Sequence, residues 1–529
     1  MTSDAAMTQN VHDIMARQAR QPFVDFPSLI ARHASERPGA PAFRCGGDTL
    51  DWAGLARATE RVAAACAALG VGPDGKVALL ASPGLRAIQA FFGVVRAGGC
   101  VVPLATSATA ATLMGMLGDS DATVLVADAD ARESLKAVEA ELAAALPHRL
   151  VALDFQAPGW LGWDDWLARG GQPPAVDHRA DQAFNLIYSS GTTGKPKGIL
   201  HLHGMRSRQA NRRSFGLGPD SVMLLSTPLY SNTTLQPMLA TVANGGSTVL
   251  MRKFDAAEYL RLCAAHRVTH TMLVPVQYQR LLAHEDFART DLSSFVLKQC
   301  TGAPLDARVK SQILARWPGG LREIYGMTEG GCSCVLDAHE FPDKLGTVGR
   351  PAPDHDMRIV DDDGRVLAQG EVGEIVGWSP YMMAGYYKQP QATEAFYWRD
   401  DSGIAFHRSG DIGRFDDEGF LILLDRKKDL IISGGFNIYA TDLESVAAAH
   451  PEVADVAVIG IPSEQWGETP LALVVLKPGS TLDPEALRSW VNGQVGRTQR
   501  LAAVEYRSEL PRSALGKLLK RELRQPYWT

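Results

Sequence analysis

The sequence has no long apolar run free of charge or proline. Its longest, from Val77 to Leu104, is interrupted by Pro83, Arg86 and Arg96, which argues against a membrane-spanning helix. It has no cysteine framework either. The 7 Cys are odd in number and scattered. Cys332 and Cys334 stand one residue apart, short of the two-residue gap of a CxxC metal or redox pair, so reduced thiols are expected. Positive charge is not in excess: the formal net charge is −6, which argues against a broad non-specific nucleic-acid surface. The N-terminus, MTSDAAMTQNVHDIMARQ, is acidic where a secretory signal needs a basic start and an apolar run. There is no internal repeat and no low-complexity tract. A cytoplasmic globular protein is expected, and 529 residues require two or more domains.

What is present is alternation. KVALLAS (76–82) reads as a strand, Leu85, Ile88, Phe91, Phe92 and Val95 recur at helical spacing, and CVVPLA (100–105), ATVLVAD (122–128) and RLVALD (149–154) read as further strands. ESLKAVEAELAAAL (133–146) between them predicts one helix. Repeated units of this length predict a mainly parallel, helix-covered sheet. The pattern returns in SVMLLSTPL, GSTVLM and VTHTMLVP, with DAAEYLRLCAAH as a helix. From about residue 355, MRIVDDDGRVL and GFLILLDR predict hairpins. After DRKKD a small mixed unit follows, with ADVAVIGIP and LALVVLKPG as strands and DPEALRSWVNGQV as a helix. The fold class is α/β, divided into 1–425 and 426–529.

Residues 188–198 read YSSGTTGKPKG. LIYSS before the glycines and GILHLH after them read as strands, so this is a tight loop between strands. Only two residues separate Gly191 from Gly194, and Pro196 stands where a Walker loop needs Ser or Thr, so it is not that loop. Its chemistry is similar: glycines let successive N–H groups converge on an anion, hydroxyls add donors, and Lys195 and Lys197 add charge. Taken alone, a polar hairpin turn is the plain reading.

Other stretches change that reading: GAPL at 302–305, YGMTE at 325–329, HRSGDI at 407–412, DRKKDLIISGGFN at 425–437 and PRSALGK at 511–517. In this order they resemble the acyl-CoA synthetase branch of the adenylate-forming enzymes, from about residue 25 to the C-terminus. The resemblance implies a large N-terminal domain of helix-covered sheets with a β-rich subdomain, and a small mobile α+β C-terminal domain. It also implies the activity: a carboxylate attacks the α-phosphate of ATP, pyrophosphate leaves, and a thiol then displaces AMP from the acyl-adenylate. ATP, Mg²⁺ and coenzyme A are the implied cofactors and substrates.

Carried over residue by residue, the resemblance places Ser189, Ser190, Gly191, Thr192, Thr193, Gly194, Lys195 and Lys197 around the β- and γ-phosphates. Thr328 would bond the α-phosphate, and Glu329 would hold Mg²⁺, with Thr192 as a further oxygen ligand. Tyr325 and Gly326 would face adenine from one side, Gly302, Ala303 and Pro304 from the other. Asp411 would accept from the ribose hydroxyls, Arg426 would contact ribose or phosphate, and Lys428 would be the hinge. Lys517 would bridge the attacking carboxylate and the α-phosphate with its compact charge. Ser433, Gly434 and Gly435 would line the pantetheine channel. PRSALGK also resembles the segment at which bacterial relatives are silenced by lysine acetylation, which implies an acetyltransferase and deacetylase as partners at Lys517.

The acid is less defined. The acyl-pocket segments are PLYSNTT (228–234), VPVQYQR (274–280), KQCTGAPL (298–305) and GMTEGGCS (326–333). Tyr230, Ser231, Gln277, Thr301, Gly330 and Gly331 are the candidate lining. Ser231 stands where many relatives have His, which widens the mouth. Gln277 could bond a polar group on the acid or face solvent. Arg280 is placed on an outer helix face, no positive residue clearly lines the pocket, and a dicarboxylate is disfavoured. A medium-chain or aromatic monocarboxylate is expected. The alternatives are an enzyme loading a carrier protein, a non-catalytic nucleotide-binding module, and a luciferase-like oxygenase. A monomer or homodimer is expected.

Overall fold

The structure is a computed structural model and describes residues 11–189, 196–211, 215–433, 436–496, 499–513 and 516–528. The chain forms two compact units. One comprises Met1–Leu345, Ala352–Asp356 and Trp378–His407, the other Gly346–Pro351, Met357–Gly377 and Arg408–Thr529. The second therefore takes in the whole of 426–529 together with earlier strands.

The first unit is built on two sheets. In one, the strand order is Gly385–Tyr386, Lys197–Leu202, Ala183–Ser189, Cys100–Pro103, Lys76–Leu80, Ala122–Ala127, Leu150–Ala152 and Trp160–Gly162. Pairing is parallel from Ala183–Ser189 onward and antiparallel at the other edge. Near-continuous burial along Lys76–Leu80 and Cys100–Pro103 explains their unbroken apolar runs, since helices cover both faces. Helix Leu85–Arg96 buries Ile88, Phe91, Phe92 and Val95 on one side. Gly93 lets it lie close to helix Trp52–Ala68, because a Cβ there would stand 2.3 Å from Val62. Phe26, Phe91, Phe92 and Phe184 form a tilted and edge-on aromatic cluster beneath it, each ring worth about 1.5–3 kcal/mol of burial.

The other sheet runs Ser333–Asp337, Gly320–Gly326, Leu297–Cys300, His270–Leu273, Val222–Leu225, Ser247–Leu250, Pro41–Cys45 and Asp48–Asp51. Its inner strands are parallel, so their carboxyl ends share one edge. The segments that follow those ends begin at Ser226, Val274, Thr301 and Met327. The topology thus gathers the four candidate pocket segments, and such an edge is where open α/β sheets place ligands.

One element departs from expectation. Residues 133–146 do not form a single helix. A short helix ends at Glu133, a 3₁₀ turn covers Lys136–Val138, and a second helix spans Glu139–Ala145. The Ser134 hydroxyl donates back to the Ala131 carbonyl at 2.7 Å, a local bond that competes with helix continuation.

In the second unit, Val453–Ser463 and Gly467–Leu476 form a long hairpin, extended by Ala503–Tyr506 in parallel and by Ile431–Ser433. Helices Ala440–Ala448 and Pro484–Asn492 pack on this sheet through Leu443, Ala447, Leu487 and Val491. Asp411–Phe415 pairs with Leu421–Arg426 as a second hairpin. Among the described residues, no helix is long and apolar enough to cross a membrane.

Candidate active site

The phosphate-type loop sits between antiparallel strands, as its sequence predicts: Ala183–Ser189 pairs with Lys197–Leu202, Ser189 opposite Lys197. Ser190, Gly191, Thr192, Thr193, Gly194 and Lys195 lie outside the described residues. At the foot of the loop the Lys197 ammonium lies over the Tyr386 ring, 4.8 Å from its centroid. The Tyr386 hydroxyl donates to Glu329 Oε1 at 2.9 Å. Burial, then the Glu329 charge, raise the Tyr386 pKa, so the phenol stays protonated and the bond stays made.

Strand Gly320–Gly326 delivers Tyr325 at its end and Thr328 and Glu329 just beyond it, both half-buried. The backbone here is held at successive residues. The Thr328 carbonyl faces His201 Nε2 at 2.8 Å, and the Glu329 carbonyl accepts from the Met383 N–H at 2.8 Å. His407 Nδ1 meets the Gly330 carbonyl at 3.0 Å, and the Ser379 hydroxyl oxygen accepts from the Gly331 N–H at 3.3 Å. Burial lowers the His407 pKa to about 4, so this imidazole is a neutral donor. Gly330 has φ +75° and Gly331 φ +88°, backbone that side chains other than Gly rarely adopt.

The two candidate adenine walls follow neighbouring strands. Cys300 pairs with Glu323 in parallel register, so Gly302, Ala303 and Pro304 leave one strand end beside the strand that carries Tyr325 and Gly326. Glu323 accepts from the Leu305 N–H at 2.8 Å and is ion-paired with Lys310, both carboxylate and ammonium being buried. The Thr301 hydroxyl donates to the Ile324 carbonyl at 2.8 Å. Sequence reasoning missed Glu323, whose role appears only when GAPL and its own strand are neighbours.

The acyl-pocket candidates divide. Tyr230 is half-buried, its hydroxyl 3.4 Å from that of Ser107. Ser231 is the N-cap of helix Asn232–Ala243, its hydroxyl accepting from the Thr233 N–H at 3.1 Å. Gln277 does not face solvent. It is buried, its oxygen accepts from the Val274 N–H at 3.1 Å, and its amide donates to the Ser226 hydroxyl at 3.2 Å. Its oxygen holds the start of helix Pro275–Ala283, and its amide nitrogen ties that helix to Ser226, just past strand Val222–Leu225. Arg280 is exposed, as expected. Cys300, Cys332 and Cys334 are buried, and none of the seven cysteines is in a disulfide.

A cation does reach these segments from elsewhere. Arg206 on helix His203–Ala210 is completely buried and donates to Asn232 Oδ1 at 2.8 Å, beside Ser231. Reading only the pocket segments missed it. No sequence signal singled it out: helix His203–Ala210 carries two arginines, Arg206 and Arg208, and only the fold shows that Arg206 is the buried one.

In the second unit, Asp411 stands opposite Arg426 across the hairpin, with Arg426 Nε 3.3 Å from Asp411 Oδ1. Arg524 grips the segment after Arg426, donating to the Lys428 carbonyl at 2.8 Å and to Asp429 Oδ1 at 3.1 Å. Desolvation, then Arg426, lower the Lys428 pKa. Ser433 pairs with Phe436 and Gly467 at a strand end. Gly434 and Gly435 lie outside the described residues.

Lys517 ends a tight turn. Its N–H donates to the Ser513 hydroxyl at 3.2 Å, its carbonyl accepts from the Ser513 N–H at 2.8 Å, and Gly516 has φ +75°. Arg512 anchors the turn, bonding both oxygens of Asp455 at 2.9 and 2.7 Å and the Gly516 carbonyl at 2.9 Å. Lys517 is exposed, and Arg426, Asp411, Lys428 and Asp429 act on its ammonium. Desolvation, then repulsion from Arg426, lower its pKa to about 8, with Asp411 acting in the opposite sense.

The family model described as AMP-binding enzyme matches residues 30–387, and that of the AMP-binding enzyme C-terminal domain matches residues 442–517. Feruloyl-CoA synthase of an Amycolatopsis species is 34% identical over 506 residues, covering 94% of this chain and 98% of that one. Indoleacetate–CoA ligase of Aromatoleum aromaticum is 33% identical over 511 residues, covering 95% and 98%. Among solved structures, ATP-bound MatB from Rhodopseudomonas palustris aligns with a TM-score of 0.84 at 29% identity, over 95% of this chain and 99% of that one. MenE from Bacillus subtilis with its acyl-adenylate intermediate OSB-AMP aligns with a TM-score of 0.81 at 27% identity, over 95% and 98%. With motifs, fold and sequence agreeing along nearly the whole length, the chain belongs to the AMP-binding enzyme family, as an ATP-using, AMP-forming acid–thiol ligase.

Proposed function

We propose that this ligase activates an aromatic monocarboxylic acid and passes the acyl group to coenzyme A rather than to a carrier protein. The observation that carries the proposal is the pair of relatives at 34% and 33% identity whose names specify feruloyl-CoA and indoleacetate. The pocket segments support it. Ser231 caps a helix start, and Gln277 divides its polar atoms between a helix start and Ser226, which leaves small residues and Tyr230 to meet an apolar ring.

In the first step a carboxylate oxygen bonds to the α-phosphorus as the bond to pyrophosphate breaks. Negative charge builds on the phosphoryl oxygens, so positioned donors and cations supply most of the catalysis. Thr328 bonds the α-phosphate, the 190–195 loop wraps the departing pyrophosphate, Tyr325 and Gly302–Pro304 sandwich adenine, and Asp411 holds the ribose. Lys517 neutralises the approach of two anions. Among the described residues there is no group of three or more His, Cys, Asp or Glu able to hold a metal. Glu329, with one oxygen taken by Tyr386, fits an ion that arrives on the nucleotide, since Mg²⁺ is commonly held by one or two carboxylates plus phosphates and water. Mg²⁺ would screen phosphate charge there. In the second step the thiol sulfur attacks the acyl carbon and AMP leaves, with Ser433, Gly434 and Gly435 bordering the pantetheine path and Lys428 as the hinge between steps.

A pyrophosphate-release screen tests this. Aryl-alkanoic or aryl-alkenoic acids should exceed medium-chain alkanoates in kcat/KM by at least about tenfold. A preferred alkanoate overturns the aromatic assignment, faster turnover with a holo-carrier protein overturns the CoA assignment, and no release with any acid overturns the ligase reading.

The lowered Lys517 pKa also bears on its acetylation. At pH 7.5 a lysine with a pKa of about 8 is roughly one-quarter free amine, the nucleophilic form. Incubation with an acyl donor and an acetyltransferase should therefore modify Lys517 ahead of exposed lysines such as Lys253, as read by mass spectrometry. Equal modification of the two would count against selective silencing at Lys517.

A further inference from the structure

Arg206 is a buried cation with unusual company. Its guanidinium donates from Nε to Asn185 Oδ1 at 2.9 Å, from Nη1 to Gln209 Oε1 at 2.7 Å and Asn232 Oδ1 at 2.8 Å, and from Nη2 toward His201 Nδ1 at 3.0 Å. All four acceptors are neutral, and among the described residues no carboxylate pairs with it. Burial is the only cause acting on its pKa, which falls to about 9. A buried charge without a counter-ion is costly, and apolar residues would fill the same space more cheaply. Its hydrogen bonds therefore need a purpose beyond packing.

The acceptors show what they accomplish. His201 Nδ1 faces two donors, Arg206 Nη2 and Asn185 Nδ2 at 3.3 Å. It must therefore be the unprotonated nitrogen, which puts the ring proton on Nε2. That N–H points at the Thr328 carbonyl, 2.8 Å away. Burial, then Arg206, push the His201 pKa well down, so the ring remains neutral in this tautomer. The other end of Arg206 holds Asn232, the first residue of the helix capped by Ser231. One guanidinium thus ties the acyl-pocket segment to the backbone that presents Thr328 and Glu329.

We propose that Arg206 and His201 form a positioning dyad: Arg206 fixes the His201 tautomer, His201 fixes the Thr328 peptide, and together they set the Thr328 hydroxyl and Glu329 carboxylate in register with the pocket segment at Asn232. The dyad touches neither acid nor nucleotide and acts through Thr328. It rests on the roles proposed above for Thr328 and Glu329.

The test compares His201→Leu, which has no ring N–H, with His201→Gln, which keeps a side-chain donor, in the full-length protein. Calorimetric titration with Mg·ATP counts intact nucleotide sites, and acid-dependent ATP–pyrophosphate exchange is expressed per site. His201→Leu should lower kcat per site by about 10- to 100-fold while the ATP KM moves less than about threefold, as expected when groups needed in the transition state are misplaced. His201→Gln should recover to within about threefold of wild type. A His201→Leu kcat per site equal to that of His201→Gln overturns the dyad. If wild type binds Mg·ATP but shows no exchange with any acid, the adenylation reading fails, and the dyad with it. If His201→Leu does not fold, ¹⁵N-histidine labelling of the wild-type protein decides. A neutral, Nε2-protonated His201 from about pH 6 to 9 is the expected result, and a protonated ring or the Nδ1–H tautomer overturns the proposal.

Discussion

Replacing Lys517 with alanine should lower carboxylate-dependent exchange between ATP and pyrophosphate by on the order of 100- to 1,000-fold, while thioester formation from a supplied acyl-adenylate is largely kept. The asymmetry follows from charge. Only the first step brings a carboxylate and a triphosphate together, and only there does a compact cation offset two approaching anions. Alanine leaves the turn intact, because the bonds that hold it run through the Lys517 backbone, the Ser513 hydroxyl and Arg512, not through the ammonium. The pH dependence has a defined sign. The protonated form is the working one and its pKa is lowered to about 8, so kcat/KM for the acid, which reports the free enzyme, should decline as pH rises through about 8, well below the usual lysine range. Arg426 is the second cause of that lowering and Asp411 opposes it. Arg426→Gln should therefore move the alkaline limb upward, and Asp411→Asn should move it downward. Wild-type exchange in Lys517→Ala, or an alkaline limb indifferent to both neighbours, would remove Lys517 from the first step.

The parallel sheets were legible because their strands are buried on both faces and read as short apolar runs between helical repeats, as at Lys76–Leu80 and Cys100–Pro103. The loop after Ser189 was legible as a turn between strands for a local reason: its glycines and Pro196 break two runs of β-forming residues. The long-range part of the site was not. Arg206 meets partners 21 and 26 positions away, and His201 meets Thr328 across 127. No periodicity encodes such meetings. They appear only when the carboxyl ends of several strands share an edge.

Ser231 and Gln277 teach a different lesson. Both stand in pocket segments, yet the Ser231 hydroxyl and the Gln277 oxygen are committed to helix starts and the Gln277 amide nitrogen to Ser226. That commitment was readable, since Ser before a helical run is a strong N-cap signal. A residue in a pocket segment first satisfies the backbone beside it, and only the remainder is available to substrate.

The second large effect is expected at Gly330, where alanine should destabilise the first unit by about 2–5 kcal/mol and lower exchange by on the order of 100-fold. Two costs combine. At φ +75° an added Cβ crowds its own backbone, and it would stand 2.2 Å from the Tyr381 carbonyl oxygen, a backbone atom with no rotamer to yield. The neighbouring bonds carry the displacement into the site: the Glu329 carbonyl is held by Met383, and the Gly330 carbonyl by His407. Relief of the clash must shift either the Tyr381–Met383 segment or the peptide that presents Glu329. Gly118→Ala is the matched control. It lies exposed in helix Ala110–Ser120 with no atom within 4 Å of the added methyl, and alanine there should stabilise by about 0.5–1 kcal/mol. Urea unfolding and exchange assays on the two variants separate the effects. Loss of both stability and exchange in Gly330→Ala, beside a slightly stabilised and fully active Gly118→Ala, is the expected result. An unchanged unfolding midpoint with full exchange in Gly330→Ala would mean that the turn after Glu329 has slack that its geometry does not show.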